Sequence, residues 1–463
     1  MTAPLWISDD IAAATGGRVS APFAATGVSI DTRTLVPGDL FVALAGERDG
    51  HGFIPAALGA GAAGVLAARP GDGPRVVVDD TQKALEHLGE AARTRAPQAR
   101  RGAVTGSVGK TSVTQVVRAG LARAGRAHGS VKSYNNHIGV PLTLARMPAD
   151  TERAVFEIGM NHAGEIAPLV RMVQPHVVAV TNVEAAHLEN FADGEAGVAR
   201  AKAEIFQGVE RGGVAVLNAD NRWYDYLKGE ARRAGAKPHS FGLAKGADAR
   251  LLRFSPAPGG ASVEAAIDGK CVEFPLRQSA AHWGPMSLCA LLMLQALDVD
   301  LDMTLAALAA FEPLEGRGAE RVVRASRGPV TVIDESYNAS PVSMAAALAA
   351  LGARPGAPRR VVVLTDMVEL GDSSDARHAD LAVPIETAGV DLVFCAGPAM
   401  RALWMALPPG RRGAWTPTAA ELAPRLIEAL EAGDVVMVKG SKASKAGLLV
   451  GALAALDTAR VEA

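Results

Sequence analysis

The sequence has few cysteines, almost no net charge and no long apolar run, and each of these absences argues against a class of protein. Cys271, Cys289 and Cys395 are its only cysteines, and their wide spacing argues against a disulfide framework and a cysteine-based metal site. A formal net charge of −2 gives no reason to expect a nucleic-acid partner. Since no stretch of about eighteen residues is uninterruptedly apolar, no membrane span is predicted.

The N-terminal stretch and the composition indicate a globular protein of the cytoplasm. Residues 1–17 include Asp9 and Asp10 and lack both a basic leader and a long apolar run, so no secretory signal is predicted. Hydrophobic residues make up 49% of the chain and charged residues 21%, as in soluble globular proteins. A length of 463 residues exceeds what one hydrophobic core supports, and we expect roughly two to four domains.

Alternating strand and helix patterns predict an α/β fold in three blocks, namely 1–99, 100–313 and 314–463. The region 93–101 is predicted to be a linker, 240–280 a small antiparallel excursion, and Glu312–Gly316 a hinge. The first block is predicted to be a small α/β domain, and the other two to contain parallel sheets with helices on both faces. Predicted strands lie at 39–44, 64–67, 75–78, 103–105, 154–158, 177–180, 214–217, 330–333, 360–364, 391–394 and 434–438.

The strongest functional signal is the glycine-rich run Gly106–Thr111, which stands between a predicted strand and a helical pattern. Glycines let backbone N–H groups close around phosphate oxygens, and the start of a helix adds a positive dipole. Lys110 is predicted to reach the β- and γ-phosphates and Thr111 to bind Mg²⁺. Val104 stands where the common P-loop has its first glycine, so this motif is the shorter form. The predicted nucleotide-binding residues of this loop are Gly106, Ser107, Val108, Gly109, Lys110, Thr111 and Ser112.

Other polar residues follow predicted strands, and their local sequence leaves two interpretations open. Glu157 lies in an apolar strand and suits a metal ligand, or else an exposed edge position. His187 and Lys202, taken alone, are more typical of a surface loop and a solvated helix. Asn218–Asn221 suits either an adenine-binding segment or an Asx turn.

The third block has a similar polar set after its predicted strands. Arg317 and Arg321 follow the predicted hinge, and arginines can bind phosphate bidentately. Asp334 could hold a ribose hydroxyl, and Lys439 suits a carboxylate or phosphate. The alternative for these residues is a set of surface charges around a linker or a simple turn.

Taken together, these segments resemble the Mur ligase family, which adds amino acids to the muramic acid precursor of the bacterial cell wall. The similarity extends over nearly the whole chain, and several motifs occur in the family order. Within the family, the chain is similar to the branch that adds D-alanyl-D-alanine. Its segment Asp366–Gly371 resembles a motif of that branch, and the D-N-P-R motif of the preceding ligase is absent from the sequence. The segments that carry the resemblance are Ser29–Arg33, Pro37–Phe41, Asp49–His51, Gly106–Thr111, Asn135–Leu142, Phe156–Asn161, Thr181–Leu188 and Asp334–Pro341.

The resemblance implies an ATP-dependent ligase that activates the UDP-N-acetylmuramoyl-tripeptide as an acyl phosphate and joins it to D-alanyl-D-alanine. It implies two Mg²⁺ ions and a carbamate formed from Lys202 and CO₂, with Lys110, Lys202 and His187 as catalytic residues. The implied metal ligands are Thr111, Glu157, His187 and Lys202, and Asn221, Arg317 and Asp334 join the loop in binding nucleotide. The implied substrate-binding residues are Ser29, Asp31, Arg33, Asp49, His51, Asn135, Asn161, Asn338, Ser340 and Lys439. A monomer is expected.

Four residues depart from the family pattern, namely Val108, Met286, Ser340 and Thr365. The preceding ligase of the pathway and a folylpolyglutamate synthase remain alternatives within the enzyme class, because both use a similar central block. Asp49–His51 argues against the folate enzyme. A nucleotide-binding scaffold without ligase chemistry is the alternative from another class. Arguing against it is the joint presence of Lys110, Thr111, Glu157, His187 and Lys202.

Overall fold

The computed structural model describes residues 3–46, 48–131, 133–184, 188–257, 259–354 and 356–458. The described chain forms two compact units, and each is built around its own sheets. Unit 1 comprises Met1–Asn182, Ala199–Phe241 and Cys289–Ala307, and unit 2 comprises Val183–Val198, Gly242–Leu288 and Leu308–Ala463. The predicted α/β class is confirmed, whereas the division into three domains stays a prediction.

Unit 1 begins with a five-stranded sheet in the order β2-β7-β6-β5-β4, in which only the β2–β7 pair is antiparallel. The predicted strands at 39–44, 64–67 and 75–78 are confirmed as β5, β6 and β7. The strands are β1 (Trp6–Ile7), β2 (Arg18–Val19), β3 (Ala24–Ala25), β4 (Gly27–Ser29), β5 (Asp39–Val42), β6 (Gly64–Ala67) and β7 (Arg75–Val77), and the helices are α1 (Ser8–Thr15), α2 (Ile54–Gly59) and α3 (Thr81–Thr94).

The second sheet of unit 1 has six parallel strands in the order β13-β12-β11-β8-β10-β9. Its middle strands are buried on both faces, which explains their continuous apolar sequences. The strands are β8 (Arg100–Thr105), β9 (Ala127–Gly129), β10 (Arg153–Glu157), β11 (Val177–Val180), β12 (Val214–Asn218) and β13 (Lys237–Gly242), and the helices are α4 (Lys110–Ala124), α5 (Gly139–Ala145), α6 (Ile166–Val173), α7 (Glu195–Ala203) and α8 (Tyr224–Arg233). Residues 195–198 of α7 and residue 242 of β13 belong to unit 2.

Unit 2 contains the antiparallel excursion predicted for 240–280, in which β14 pairs with β15 and β15 with β16. Two helices follow these strands in the chain, and their residues between 289 and 307 belong to unit 1. The elements are β14 (Ala249–Ala257), β15 (Gly260–Ile267), β16 (Lys270–Leu276), α9 (Trp283–Ala296) and α10 (Leu301–Ala310).

The larger sheet of unit 2 has the order β17-β18-β22-β19-β20-β21, and every pair except β17–β18 is parallel. Successive residues such as Val361 and Val362 belong to separate cores, so both faces are covered as predicted. The strands are β17 (Ala319–Ala325), β18 (Gly328–Glu335), β19 (Arg359–Thr365), β20 (Leu392–Ala396), β21 (Arg412–Thr416) and β22 (Asp434–Lys439), and the helices are α11 (Pro341–Ala353), α12 (Ser374–Ala379), α13 (Ala382–Thr387), α14 (Met400–Ala406), α15 (Ala419–Ala429) and α16 (Ala446–Thr458).

None of the helices within the described ranges is long and apolar enough to cross a bilayer. The remaining helical turns are short 3₁₀ segments. Their bounds are Gly50–Phe53, Leu188–Asn190, Glu204–Gly208, Gly371–Ser373 and Pro409–Arg411.

The three cysteines are free, and they differ in exposure in a way that a thiol titration can measure. Cys271 is exposed, whereas Cys289 and Cys395 are buried, and burial raises the pKa of both buried thiols. Because the thiolate is the reactive form, we expect only Cys271 to react quickly with a disulfide reagent in the native chain. The other two should react after addition of denaturant, and fast reaction of a second thiol without denaturant would contradict this burial.

Candidate active site

The glycine-rich run lies between β8 and α4, in the strand–turn–helix arrangement that the sequence predicts. Gly106 and Gly109 have positive φ angles of 149° and 86°, which residues with a side chain rarely adopt. Lys110 is the first residue of α4, so Thr111 and Ser112 lie in its first turn. The amides and dipole at this helix start favour an anion.

The side chain of Lys110 folds back over the loop. Its Nζ donates to the Gly106 carbonyl oxygen at 2.7 Å and to the Ser107 carbonyl oxygen at 3.5 Å. The ammonium group therefore lies beside the space that the loop encloses. A phosphate bound there would meet this positive charge.

Glu157 ends β10 between its neighbours β8 and β9, and it is only 1% exposed. Its Oε1 accepts a hydrogen bond from Asn135 Nδ2 at 2.7 Å, while its buried Oε2 has no hydrogen-bond partner among the residues that the structure describes. The alternative of an exposed edge position is therefore wrong. A buried carboxylate oxygen without a donor is costly, and a cation at this oxygen would offset that cost.

The segment 133–135, together with Ser130, connects Glu157 to Thr111. Ser130 Oγ accepts from the Glu157 N–H at 3.0 Å, and Ser133 Oγ lies 3.0 Å from Thr111 Oγ1. The sequence motifs include Asn135 of this segment but neither serine, because an isolated serine gives no sequence signal. Two of the predicted Mg²⁺ ligands, Thr111 and Glu157, are thus both in contact with one short segment.

Lys202 lies in the last turn of α7 and is 2% exposed, so the interpretation as a solvated helical lysine is wrong. Burial, and secondly the positive charge of Lys110, lower the pKa of Lys202 well below its usual value. Both causes favour the neutral amine. His187, the remaining predicted metal ligand, lies outside the described residues. Among the residues that are described, no three His, Cys, Asp or Glu side chains form a metal-binding group.

Asn221 and its neighbours form the Asx turns that were the alternative to adenine binding. Asn218 Oδ1 accepts from the Asp220 N–H at 2.9 Å, and Asn221 Oδ1 accepts from the Trp223 N–H at 3.0 Å. Asn161 is held by its backbone, since its N–H donates to Glu165 Oε2 at 2.7 Å. A role for Asn161 or Asn221 in binding stays a prediction.

The polar residues of the first block gather after the parallel strands β4, β5 and β6. Asp31 forms an ion pair with Arg33 at 2.6 Å, and this side-chain hydrogen bond is the main reason that the pKa of Asp31 falls to about 2. Asp49 Oδ1 lies 2.6 Å from His51 Nδ1, and His51 Nε2 accepts from the Ala68 N–H at 2.9 Å. Ser29 Oγ accepts from the Asp31 N–H at 3.3 Å, so Ser29, Asp31 and Arg33 form one hydrogen-bonded group, and Asp49 and His51 form another.

In unit 2, Asp334 anchors the chain on both sides of β18. Its Oδ2 accepts from the Gly316 N–H at 2.9 Å, and its Oδ1 accepts from the Ser336 hydroxyl at 2.6 Å. Gly316 has a positive φ of 72°, which no proline can adopt, so a proline there would disrupt this anchor. The Arg317 guanidinium lies 4.1 Å from the centre of the Tyr337 ring. The predicted hinge stays a prediction.

Lys439 ends β22 and is almost fully buried. Its Nζ donates to the Asn338 carbonyl oxygen at 3.0 Å and lies 3.4 Å from Glu335 Oε2. Ser340 is the N-cap of α11, where its Oγ accepts from the Ser343 N–H. The predicted residues Asn338, Ser340 and Lys439 therefore lie near one another, but the Ser340 hydroxyl already caps a helix.

Comparison with known proteins identifies the family. Residues 104–294 match the Mur ligase middle domain, and residues 320–442 match the domain described as "Mur ligase, glutamate ligase domain". The UDP-N-acetylmuramoyl-tripeptide–D-alanyl-D-alanine ligase of Escherichia coli (strain K12) is 36% identical over 430 residues, covering 92% of this chain and 93% of the relative. The ligase of the same name from Rickettsia prowazekii is 30% identical, covering 96% of this chain and 99% of the relative.

Solved structures agree with the sequence relatives. A crystal structure of MurF from Acinetobacter baumannii superposes with a TM-score of 0.84 at 28% identity and covers 97% of this chain and 98% of its own. Folylpolyglutamate synthase of Mycobacterium tuberculosis has the same kind of fold, with a lower TM-score of 0.62 at 18% identity, covering 80% of this chain and 94% of its own. The family resemblance predicted from the motifs is thus confirmed, and the chain belongs to the Mur ligase family, in its MurF branch.

Proposed function

We propose that this protein is an ATP-dependent amide ligase that joins D-alanyl-D-alanine to UDP-N-acetylmuramoyl-tripeptide in peptidoglycan precursor synthesis. The observation that carries the proposal is the site of unit 1, where a phosphate-binding loop, an unpartnered buried carboxylate oxygen and a buried lysine occur together. The proposed substrates are those in the names of relatives that match over nearly the whole chain. We further propose that the protein acts as a monomer in the cytoplasm.

The proposed reaction has two steps, and neither needs a reactant other than ATP, the tripeptide substrate and D-alanyl-D-alanine. The carboxylate of the tripeptide takes the γ-phosphoryl group of ATP, which forms an acyl phosphate and releases ADP. The free amine of D-alanyl-D-alanine then attacks the acyl carbon, the C–O bond to phosphate breaks, and the amine loses a proton. The loop amides and the Lys110 ammonium stabilise negative charge on the triphosphate during the first step.

Residues present in unit 1 fit a Mg²⁺ ion, since a buried carboxylate oxygen without a donor is a suitable hard ligand. Glu157 Oε2 and Thr111 Oγ1 would hold it, with His187 added from the sequence motif, and a second ion is part of the proposal. When bound, Mg²⁺ supplies positive charge that offsets charge on phosphate oxygens. Asn135 keeps Glu157 oriented through the bond to its other oxygen.

We include in the proposal a carbamate on Lys202. The neutral amine is the form that adds to CO₂, and the surroundings of Lys202 favour that form. The amine nitrogen bonds to the carbon of CO₂, one C=O π pair moves onto oxygen and the nitrogen loses one proton to water, so the neutral amine becomes an anion. The anionic product would be attracted by Lys110, whereas an ammonium group is repelled by it.

The remaining substrate-binding residues are proposed from their place in the fold and the family motifs. Ser29, Asp31, Arg33, Asp49 and His51 lie after adjacent strands and would bind the UDP-sugar. For the nucleotide we propose Asn221, Arg317 and Asp334, and for the peptides Asn135, Asn161, Asn338, Ser340 and Lys439. Because both Asp334 oxygens already accept hydrogen bonds, its expected contribution is to hold the 316 and 336 segments in place.

The acceptor specificity tests the proposed function directly. With ATP, Mg²⁺ and UDP-N-acetylmuramoyl-tripeptide, D-alanyl-D-alanine should raise phosphate release at least about 100-fold over any single amino acid, because a dipeptide site gains contacts that one residue cannot make. Mass spectrometry should detect a product heavier by the dipeptide less one water.

The alternatives make different predictions in the same assay. A preference for a single diamino acid would favour the preceding ligase of the family, and activity only with a folate and glutamate would favour the folate enzyme. ADP formation without any new amide bond would contradict the ligase proposal altogether.

A further inference from the structure

The tip of the phosphate-binding loop is bonded to two residues at the carboxyl end of β11, Thr181 and Asn182. Asn182 Oδ1 accepts from the Val108 N–H at 2.9 Å, and the Asn182 carbonyl oxygen accepts from the Ser107 N–H at 3.0 Å. Thr181 Oγ1 donates to the Val108 carbonyl oxygen at 2.6 Å. Both residues between the two loop glycines are therefore held from the neighbouring strand. We refer to Thr181 and Asn182 as the brace.

The brace is itself fixed within the parallel sheet. The Thr181 N–H donates to the Thr105 carbonyl oxygen at 3.0 Å, and Asn218 Nδ2 donates to the Thr181 carbonyl oxygen at 3.3 Å. These bonds join the brace to β8 on one side and to β12 on the other. A Cβ added at Gly106 would collide with the Thr181 hydroxyl, so the loop also packs closely against it.

The bonding of the tip determines which loop groups are directed at phosphate. The N–H groups of Ser107 and Val108 donate to the brace, so a phosphate at this loop would meet the start of α4 and the Lys110 ammonium instead. The loop is also short, because Val104 lies within β8 where a longer P-loop has a glycine. The brace holds the two residues between the loop glycines with three hydrogen bonds.

We propose that Thr181 and Asn182 are positioning residues that preorganise the phosphate loop and thereby set the affinity for the nucleotide triphosphate. The inference rests on the proposed function, since it assumes that the loop binds ATP. A loop that is already ordered loses less conformational entropy on binding. The brace touches backbone groups of the loop, so it acts on nucleotide affinity through the loop's shape.

Two variants of the full chain test the brace. Asn182→Ala removes the acceptor for the Val108 N–H, and Thr181→Val replaces the hydroxyl with a methyl group that cannot donate to the Val108 carbonyl oxygen. Calorimetric titration with ATP and Mg²⁺ should show Kd raised by about 10-fold in each variant. In steady-state assays the KM for ATP should rise similarly, while the KM for each of the other two substrates changes by less than about 2-fold.

Thr151→Val is a matched control in the same unit. Thr151 is 5% exposed and its Oγ1 donates to the Pro148 carbonyl oxygen at 2.7 Å, much as Thr181 does to Val108. It precedes β10 and so lies toward the amino ends of the strands, away from the loop. We expect this variant to lose stability but to bind ATP like the wild type. Thr181→Ser keeps the hydroxyl and should restore ATP affinity.

The outcomes separate the brace from the proposed function. Unchanged ATP affinity in Thr181→Val and Asn182→Ala, or an equal loss in Thr151→Val, would overturn the brace while leaving the proposed function intact. A wild-type chain without ATP affinity would overturn the proposed function and the brace with it. Thermal unfolding identifies a variant that does not fold. If Asn182→Ala does not fold, the ATP affinities of Thr181→Val and Thr181→Ser still test the brace.

Discussion

Lys202→Ala should abolish ligation, lowering kcat by at least about 100-fold while ATP still binds. Lys202 is 2% exposed, and its pKa is lowered by burial and secondly by the charge of Lys110. Burying this amine therefore lowers the free energy of unfolding. A residue that only packs would not need an amine there. The measurement is phosphate release and product formation at saturating ATP, beside a thermal melt that should show no loss of stability.

Three further measurements on Lys202 separate a carbamate from a plain amine. Lys202→Arg introduces a permanent cation that cannot form a carbamate, and it should be as inactive as the alanine variant. Lys83→Ala, on the exposed face of α3, should leave kcat unchanged. A short carboxylic acid such as acetate should partly restore Lys202→Ala, because it returns an anion to the vacated volume. Removing CO₂ and bicarbonate should slow the wild type. Full activity of Lys202→Ala would rule out the carbamate and any catalytic role for the residue.

Much of the fold follows from short apolar runs between turn-forming residues. Gly64–Ala67 and Val177–Val180 have in the structure the bounds that the sequence predicts, because each run is fully buried and flanked by residues that end a strand. The edge strand β17 was missed since Glu320, Arg321 and Arg324 interrupt its apolar pattern. Edge strands are exposed on one side and lose the continuous apolar signal of central ones.

The site was predictable where a motif fixes the backbone and not where the fold brings distant residues together. Gly106 and Gly109 reveal the loop because their φ angles require glycine. The burial of Lys202 depends on how its helix packs, so local sequence favoured a solvated lysine. The bond from Val108 to Asn182 spans 74 residues of sequence, and no local pattern reports it.

The proposed Mg²⁺ site predicts opposite effects of one substitution on activity and on stability. Glu157→Gln keeps the shape of the side chain and the acceptor for Asn135 Nδ2, but it removes the charge at the oxygen that has no partner. Without that charge we expect kcat to fall about 100-fold. In Mg²⁺-free buffer the free energy of unfolding should rise by about 1 kcal/mol, because a neutral amide is less costly to bury than an unpaired carboxylate.

A comparison of thermal melts with and without Mg²⁺ distinguishes this cation site from a purely structural carboxylate. The wild type should melt at a higher temperature when Mg²⁺ and nucleotide are added, and Glu157→Gln should lose most of that rise. Glu90→Gln, at an exposed position on α3, serves as the control and should respond like the wild type. If Glu157 were only part of the core, the glutamine variant would keep both its kcat and its response to Mg²⁺, so retention of both would refute the cation site. A variant that gains stability and loses activity would show that the buried carboxylate is retained for the reaction at a cost to the fold.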